Sequence, residues 1–392
     1  MNDVFIVGIG STSFGRHAGT PIENLAVSAA LEALLESTIE RELIGALYLG
    51  NFISGPLNGK EVLAGIVGHR LGLSSIACTK VEGACASGGI AFRHACMMVA
   101  SGQADAAIAV GVETMTHAST KVTTAALNCA MDNENDGPSG LTFPGLFGLA
   151  WRMHAQRYGT TRDQVSAVVR KNKSNGLKNP LAQMGADLST EEISSSIAIC
   201  DPIQLFDCCP TSDGAAAVVV VSKAVASRIA KHLKHPLVQV LASVQTSGPP
   251  NIGAQMDLTS FSANVSAATK AYALAGVGPK DIDLVELHDC FSIAEIIDCE
   301  DLGLVPRGEG GHWALEGRTA VGGEIAINPS GGLLSKGHPV GATGIGQVYE
   351  VTKQLRHAHA NQVRHARIGM THNLGGAGVA CTVSILKGLE AC

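Results

Sequence analysis

Short apolar runs, each long enough for one buried strand, alternate along the chain with segments in which apolar residues recur at helical spacing. Residues 4–9 form a β-branched run that predicts a strand, and residues 22–35 predict a helix that begins after Thr20-Pro21. Three further apolar runs, each beside a helical pattern, predict strands at 105–113, 215–221 and 283–287. The pattern therefore predicts an α/β protein.

The strand signal fades between residues 115 and 200, where a Pro138-Ser139-Gly140 turn is followed by helical patterns at 150–158 and after Thr161. We interpret this stretch as an inserted helical and loop region. The predicted division is residues 1–114 plus about 200–245 for an N-terminal half, 115–199 for the inserted loop domain, and 246–392 for a C-terminal half.

The two ends of the chain look like distant copies of each other. Cys85 stands three residues before Gly88, a helical pattern and the strand at 105–113, and His338 stands three residues before Gly341, a helical pattern and a strand at 367–372. Two similar halves that face each other would bring Cys85 and His338 together.

Composition and charge exclude several classes of protein. With 46% hydrophobic and 16% charged residues over 392 positions, the chain is neither disordered nor a coiled coil. The net charge is −6 and the basic residues are scattered, which argues against nucleic-acid binding or attachment to an anionic membrane. Eleven cysteines without a C-x-x-C pair indicate reduced thiols and a cytoplasmic protein, and we expect no signal peptide and no membrane span.

Cys85 is the first candidate for chemistry. It stands in the segment VEGACASGG, directly before a helical pattern. Free N–H groups and the positive end of a helix dipole stabilise a thiolate, so we expect its pKa to fall from about 8.5 toward neutrality. A buried structural cysteine is the alternative, and that interpretation is kept for Cys78, Cys96 and Cys129.

Two further segments carry candidate side chains. His338 lies in residues 328–344, where five glycines and two prolines predict an irregular loop. Its imidazole could take the thiol proton, hold a thiolate as imidazolium, or donate to an oxyanion. His288, Asp289 and Cys290 follow the predicted strand at 283–287, at the end of a strand where α/β folds build their sites.

Together these motifs resemble the thiolase superfamily: CASGG around Cys85, the 328–344 segment, HDCF at 288–291, and NLGGAGVA ending at Ala380. HDCF replaces the Asn-Glu-Ala-Phe string of many thiolases, which makes the chain similar to the sterol carrier protein-type thiolase branch. The resemblance implies a thiolase fold, in which two βαβαβαβ-type halves form a duplicated five-layer αβαβα core with an inserted loop domain that covers acyl-CoA. Residues of that region, among them Phe143, Phe147, Trp151 and Met153, would shape the pocket.

The resemblance also implies roles for the motif residues. Cys85 would be the nucleophile that accepts the acyl group, and His338 would activate it and help to bind the thioester oxygen. Cys290 would be the acid/base that moves a proton at the α-carbon of the second acyl-CoA. His288 would help to form an oxyanion hole.

A second oxyanion hole would use the Cys85 N–H and a backbone N–H of a Gly-rich turn. Many thiolases have Cys-Ile-Gly-Gly-Gly there, whereas this chain has His372-Asn373-Leu374-Gly375-Gly376. The second N–H would then belong to Leu374 or Gly375, with Gly375 preferred. Cys290 remains the only motif cysteine for proton transfer. If Cys290 does not move the proton, His372 is the first candidate, because it stands where many relatives have their acid/base cysteine.

The predicted function is CoA-dependent cleavage or Claisen condensation of 3-ketoacyl-CoA through a cysteine acyl-enzyme. Coenzyme A and acyl-CoA would be substrates, and we expect no permanently bound cofactor and no metal. We expect a homodimer or a dimer of dimers, formed across an edge strand next to the strand of the nucleophile, and the family allows a small OB-fold, zinc-binding partner protein.

Several alternatives remain open at this point. One is a thiolase subunit that depends on a partner and acts on a specialised acyl-CoA. Another is a β-ketoacyl synthase or a retro-aldolase on the same fold. A non-enzymatic alternative is an acyl-CoA or lipid carrier, although we expect no sterol carrier domain after the thiolase region.

Overall fold

The computed structural model describes residues 3–73, 75–255 and 257–389, in which strands and helices alternate along the chain. The strands are β1 (Val4–Ser11), β2 (Ile44–Gly50), β3 (Ala77–Val81), β4 (Ala106–Glu113), β5 (Ala198–Cys200), β6 (Ile203–Gln204), β7 (Gly214–Ser222), β8 (Val238–Ser247), β9 (Leu284–Glu286), β10 (Ala326–Ile327), β11 (Ile368–Gly375) and β12 (Ala380–Gly388). The helices are α1 (Ile22–Ser37), α2 (Ser54–Asn58), α3 (Leu63–Arg70), α4 (Ser87–Ala100), α5 (Thr120–Leu127), α6 (Phe143–Tyr158), α7 (Arg162–Leu177), α8 (Thr190–Ser194), α9 (Lys223–Ile229), α10 (Ser262–Ala275), α11 (Ser292–Asp301), α12 (Gly310–Leu315), α13 (Gly332–Lys336) and α14 (Thr343–Leu355). None of the helices in this described part of the chain combines the length and the apolar character needed to cross a bilayer.

Most of the predicted elements are present within two residues of their expected ends. β1, β4 and β7 are buried along their whole length, which is why their sequences are unbroken apolar runs. α7 begins after Thr161, whose side chain forms a capping box with Gln164. α6 begins seven residues before the predicted position, with Pro144 in its first turn. The loop predicted at 328–344 contains the short helix α13.

The sheet order confirms the predicted duplication. The five strands β3-β2-β4-β7-β1 and the five strands β10-β9-β11-β12-β8 follow one another in a ten-stranded sheet. In each set the first three strands are parallel and the last two pairings are antiparallel. A short ladder between β1 and β8 joins the two sets. The predicted domain division stays a prediction. Its boundary at about residue 245 falls inside β8, whereas the sheet order assigns the whole of β8 to the second set and favours a junction before it.

The buried residues form the layers that the fold class requires. Along β4, Ile108 and Val110 pack with α1 and α3, whereas Ala107 and Ala109 pack with α4 and α14, because successive strand side chains face opposite ways. α4 and α14 share their core with strands of both sets and so form the central layer. α10 and α11 cover the outer face of the second set. The five-layer αβαβα expectation is confirmed.

The first turns of α4 and α14 meet almost backbone to backbone. A Cβ atom on Gly88 would lie 2.9 Å from the Gly341 carbonyl oxygen, and one on Gly344 would lie 2.2 Å from the Gly89 nitrogen. Only glycine allows this approach. Because Cys85 and His338 directly precede these turns, the contact of the two helices brings both side chains to one place.

The inserted region packs against the C-terminal half. Buried apolar residues of α6 and α7, such as Phe147 and Val168, belong to the same core cluster as α10, α11 and the strands of the second set. The inserted region therefore packs on the hydrophobic core of the C-terminal half, which also contains Phe291 of the HDCF segment.

Candidate active site

Cys85 stands on a sharp turn between β3 and α4. Ala84, which precedes it, has a left-handed φ of 51°, which non-glycine residues seldom adopt. The Gly83 N–H donates to Ser87 Oγ (3.0 Å), and the Ser87 hydroxyl donates to the Ala84 carbonyl (2.6 Å). These bonds hold the turn closed, with Cys85 half-buried at its tip.

Three side chains from distant parts of the sequence meet at this turn. The Cys85 sulfur and one ring nitrogen each of His288 and His338 all lie within 4.8 Å of one another. The two imidazole rings are 4.9 Å apart between centroids and nearly perpendicular, at 81°. The predicted meeting of Cys85 with His338 is therefore confirmed, and His288 joins them.

The expected low pKa of Cys85 is wrong for this structure. Desolvation raises the pKa of its thiol to about 12, the Gly376 N–H opposes this only in part, and the charge of Glu113 adds to it. Desolvation lowers the pKa of His338 to about 3. The unpaired donors of the turn do not offset the loss of water. At neutral pH the thiol and the imidazole are both uncharged.

The hydrogen bonds of His338 indicate which of its nitrogens is free. Its Nδ1 lies 2.7 Å from Thr343 Oγ1, and the Thr343 hydroxyl donates to the Pro339 carbonyl (3.1 Å). Since that hydroxyl has one proton, Thr343 accepts from Nδ1–H, and Nε2 keeps a lone pair. Within the described residues, Nε2 is buried without a hydrogen-bond partner. His338 thus keeps a free basic nitrogen within the cluster that contains the Cys85 thiol.

His288 and Cys290 are positioned by the aspartate between them. Asp289 Oδ1 accepts the Leu333 N–H (2.7 Å), and Oδ2 accepts the Leu334 N–H (3.2 Å), at the start of α13. Asn172 of α7 donates to the same carboxyl group (2.8 Å). The HDCF segment is therefore tied to the loop that carries His338.

His288 is buried and uncharged. Burial lowers its pKa well below the ordinary value, and the neighbouring His338 and His372 lower it further. The Asn373 side chain lies 3.1 Å from its Nδ1. Asn373 was noted in the sequence only as part of a departure from the thiolase pattern, although a polar residue where many relatives have isoleucine was a signal.

Cys290 is half-buried and lies outside the cluster of Cys85, His288 and His338. Burial raises its pKa well above the ordinary value, and the nearby Cys209 and Cys85 thiols raise it further. The Cys209 N–H donates to the Cys290 carbonyl (3.1 Å). Sequence analysis missed Cys209, for which the adjacent Cys208-Cys209 pair was the available signal.

The Gly-rich turn brings a backbone amide to the Cys85 sulfur. Leu374 and Gly375 lie in β11 and pair with Cys381 and Ala380 of β12. The amide that faces the Cys85 sulfur belongs to Gly376, one residue beyond the preferred Gly375. Which N–H of this turn completes the second oxyanion hole stays a prediction.

His372 is buried on the other face of β11. Its Nε2 lies 2.9 Å from Asn264 Oδ1, whereas the adjacent Asn373 contacts the Cys85 carbonyl. Successive residues of a strand point to opposite faces. His372 is therefore separated from the thiol by the strand that carries it.

The aromatic residues named for the pocket divide into two kinds. Phe147 and Trp151 are buried in the core, and Phe143 and Met153 pack partly buried against it. Phe147 stacks on Phe291 of the HDCF segment, with 4.8 Å between ring centroids. α6 thus packs against the residue that follows Cys290.

Comparison with known proteins agrees with this geometry. The chain is 42% identical to "Acetyl-CoA acetyltransferase" of Methanothermobacter thermautotrophicus, over 99% of this chain and 100% of that protein. It is 34% identical to "Sterol carrier protein 2" of Bos taurus (98% of this chain, 72% of that protein) and 37% identical to "Benzoylsuccinyl-CoA thiolase subunit BbsB" of Thauera aromatica (95% and 94%). The solved structure titled "Ltp2-ChsH2(DUF35) aldolase" superposes with a TM-score of 0.84 at 23% identity, covering 99% of this chain and 98% of that chain, which shows a common fold.

The family matches cover nearly the whole chain. Residues 4–224 match "Thiolase, N-terminal domain", and residues 245–388 match "Thiolase C-terminal domain-like". With the duplicated five-layer fold and the Cys85, His288 and His338 cluster, these matches show that the chain belongs to the thiolase family.

Proposed function

We propose that this protein, an acyltransferase of the thiolase family, transfers acyl groups between CoA and a second acyl-CoA through a thioester on Cys85. The observation that carries the proposal is the cluster of Cys85, His288 and His338, in which the His338 Nε2 is free of any hydrogen-bond partner among the described residues. A neutral thiol next to a neutral imidazole is a nucleophile and base pair that reacts when an electrophile arrives.

The first half-reaction forms the acyl-enzyme. In cleavage, Cys85 Sγ attacks the 3-keto carbon of a 3-ketoacyl-CoA while its proton moves to His338 Nε2. We propose that the N–H groups of Cys85 and Gly376 stabilise the oxyanion. The C2–C3 bond then breaks, and its electron pair becomes the enolate of the shortened acyl-CoA.

The second part is proton transfer at carbon. The Cys290 thiol protonates the enolate α-carbon, and the His288 ring N–H stabilises the enolate oxygen before the proton arrives. The thiol group of CoA then gives its proton to the Cys290 thiolate and attacks the acyl group on Cys85. The second acyl-CoA is released, and the Cys85 sulfur recovers its proton from His338. Condensation follows the same steps in reverse, with Cys290 as the base.

The direct test is the mass of the intact chain after incubation with a panel of saturated acyl-CoAs and 3-ketoacyl-CoAs. We expect an acyl adduct on the wild type that maps to Cys85, and no adduct on Cys85→Ser. A wild type that stays unmodified with every member of the panel, with and without an added partner protein, would contradict the proposal and favour a carrier.

A homodimer formed through β3 is part of this proposal. The sequence predicted a dimer across an edge strand next to the strand of the nucleophile, and in the sheet β4 lies inside, between β7 and β2. β3 ends the described sheet order, pairs with β2 on one side, and is partly exposed along its length. Its free edge, directly before Cys85, is suited to pair with a second copy. Sedimentation at micromolar concentration should give at least twice 40.3 kDa.

A partner-dependent enzyme is the second candidate. One relative is named as a subunit, and one similar fold was solved as Ltp2-ChsH2(DUF35). An acylation assay on the isolated chain separates the candidates, because an enzyme that needs a small OB-fold, zinc-binding partner would show little or no adduct until the partner is added.

A further inference from the structure

The Asn373 side chain connects the nucleophile turn, helix α4 and His288. Its Oδ1 accepts the Gly89 N–H (3.3 Å), and its Nδ2 donates to the Cys85 carbonyl (2.9 Å). The residue is 1% exposed, so water does not compete for these bonds. A backbone N–H can only donate and a carbonyl can only accept, so both contacts assign the same orientation to the amide.

That orientation determines the tautomer of His288. The Asn373 Nδ2, a donor only, lies 3.1 Å from His288 Nδ1. Nδ1 must therefore accept, and the single proton of this neutral ring is on Nε2. We infer that Asn373 is a positioning residue that holds His288 as a hydrogen-bond donor from Nε2, opposite in polarity to His338, whose Nε2 is a free lone pair.

This polarity has a second consequence for the site. A thiol and two imidazoles within 4.8 Å of one another are donors of the kind that bind zinc. A metal-binding histidine gives a bare nitrogen to the ion and donates its other N–H to an acceptor. His338 meets that condition through Thr343, but His288 does not, because Asn373 donates to it. Asn373 thus makes the site favour an oxyanion over a divalent cation.

The first test reads the protonation directly. Ring ¹⁵N NMR of histidine-labelled protein should show His288 protonated at Nε2 and bare at Nδ1, with the signal assigned by its loss in His288→Gln. In Asn373→Asp at pH 8, a carboxylate should accept from His288 and move the proton to Nδ1. A wild-type His288 that carries its proton on Nδ1 would overturn the inference.

The second test uses Co²⁺, whose thiolate-coupled absorption reports binding at Cys85. Asn373→Asp should bind Co²⁺ about 10- to 100-fold more tightly than the wild type, the range of second-shell effects on metal affinity. Asn373→Leu should fall between them, and the double variant Cys85→Ser/Asn373→Asp should lose the absorption. Equal affinity in the wild type and Asn373→Asp contradicts the inference.

A matched control is available in Asn175. It is likewise buried, donates to the Asn328 carbonyl (3.0 Å) and accepts from Asn361 (3.0 Å). Asn175→Asp should lower stability without tighter Co²⁺ binding. A similar gain in Co²⁺ affinity there would mean that added charge, and not the His288 tautomer, causes the effect.

The consequence for turnover rests on the proposed function. Asn373→Leu should still accept an acyl group on Cys85, but should be about 10²- to 10³-fold slower in the carbon–carbon step, as when one oxyanion donor is lost. Equal loss in both steps would point to a structural role. If the wild type formed no adduct, the proposed function would fail, while the NMR and Co²⁺ results would still decide the role of Asn373.

Discussion

Lys336 Nζ lies 2.5 Å from Glu350 Oε1 in the protein interior, where both side chains are at most 6% exposed. His359 Nε2 approaches the other carboxylate oxygen at 2.9 Å, and Asn179 donates to the first (3.1 Å). Lys336 stands two residues before His338. This ion pair between α13 and α14 therefore holds the loop that positions His338, the proposed catalytic base.

Glu350→Gln should destabilise the protein by about 3 to 5 kcal/mol, because it leaves the buried Lys336 charge without its partner. Urea unfolding measures the loss. The control is Asp3→Asn, which breaks the exposed Lys223–Asp3 pair (3.1 Å) and should cost about 1 kcal/mol or less. Equal losses in the two variants would show that the interior pair is unimportant.

The ionisation of Glu350 should make the free energy of unfolding fall at acid pH. Burial would raise the pKa of Glu350, but Lys336 and His359 outweigh it and lower the pKa to about 2, from 4.5 in the unfolded chain. The stabilisation is complete above pH 4.5 and is lost as the pH falls from 4.5 toward 2. Glu350→Gln should show a shallower decline of unfolding free energy across this window, and an unchanged slope would contradict the assignment.

Cys85→Ser should abolish acylation, since an alkoxide is not accessible near neutral pH and leaves poorly in the reverse step. His338→Ala should slow acylation about 10²- to 10⁴-fold, the contribution of a general base. Adduct formation followed by mass spectrometry measures both variants. If Cys85→Ser were acylated at the wild-type rate, Cys85 would not be the nucleophile.

Cys290→Ala should separate the two half-reactions. It should still accept an acyl group from a saturated acyl-CoA, because Cys85 and His338 are intact, but should fail to cleave a 3-ketoacyl-CoA. Cys209→Ala is the matched control, because this thiol adjoins Cys290. If cleavage failed in Cys209→Ala and persisted in Cys290→Ala, the proton would have to pass through Cys209.

Gly344→Ala should lower both stability and the acylation rate. Its Cβ would lie 2.2 Å from the Gly89 nitrogen and 2.2 Å from Asn373 Oδ1, so α4 and α14 must separate. Gly65→Ala on α3 is the control, because its nearest contact would be 3.8 Å. That change should stabilise by about 0.5 to 1 kcal/mol through helix propensity. Thermal unfolding and adduct formation test both variants.

The sequence by itself determined which segments become the central strands and which side chains meet at the candidate site. β1, β4 and β7 are covered on both faces, so their sequences are unbroken apolar runs that need no structure to interpret. Cys85 and His338 stand in glycine-rich segments, and the HDCF segment follows a predicted strand. Both contexts are local and can be recognised from the sequence alone. The internal duplication was visible because both copies kept the same order of reactive residue, glycine and helix.

Tertiary structure alone decided the electrostatic state of the site. The expected low pKa of Cys85 followed from its own turn, but desolvation depends on what packs around the sulfur, and those residues come from distant segments. The tautomers of His288 and His338 depend on Asn373 and Thr343, and the amide at the sulfur belongs to Gly376. A hydrogen bond between residues far apart in sequence leaves no periodic pattern in either segment. Such contacts exist only after α4 and α14 have met.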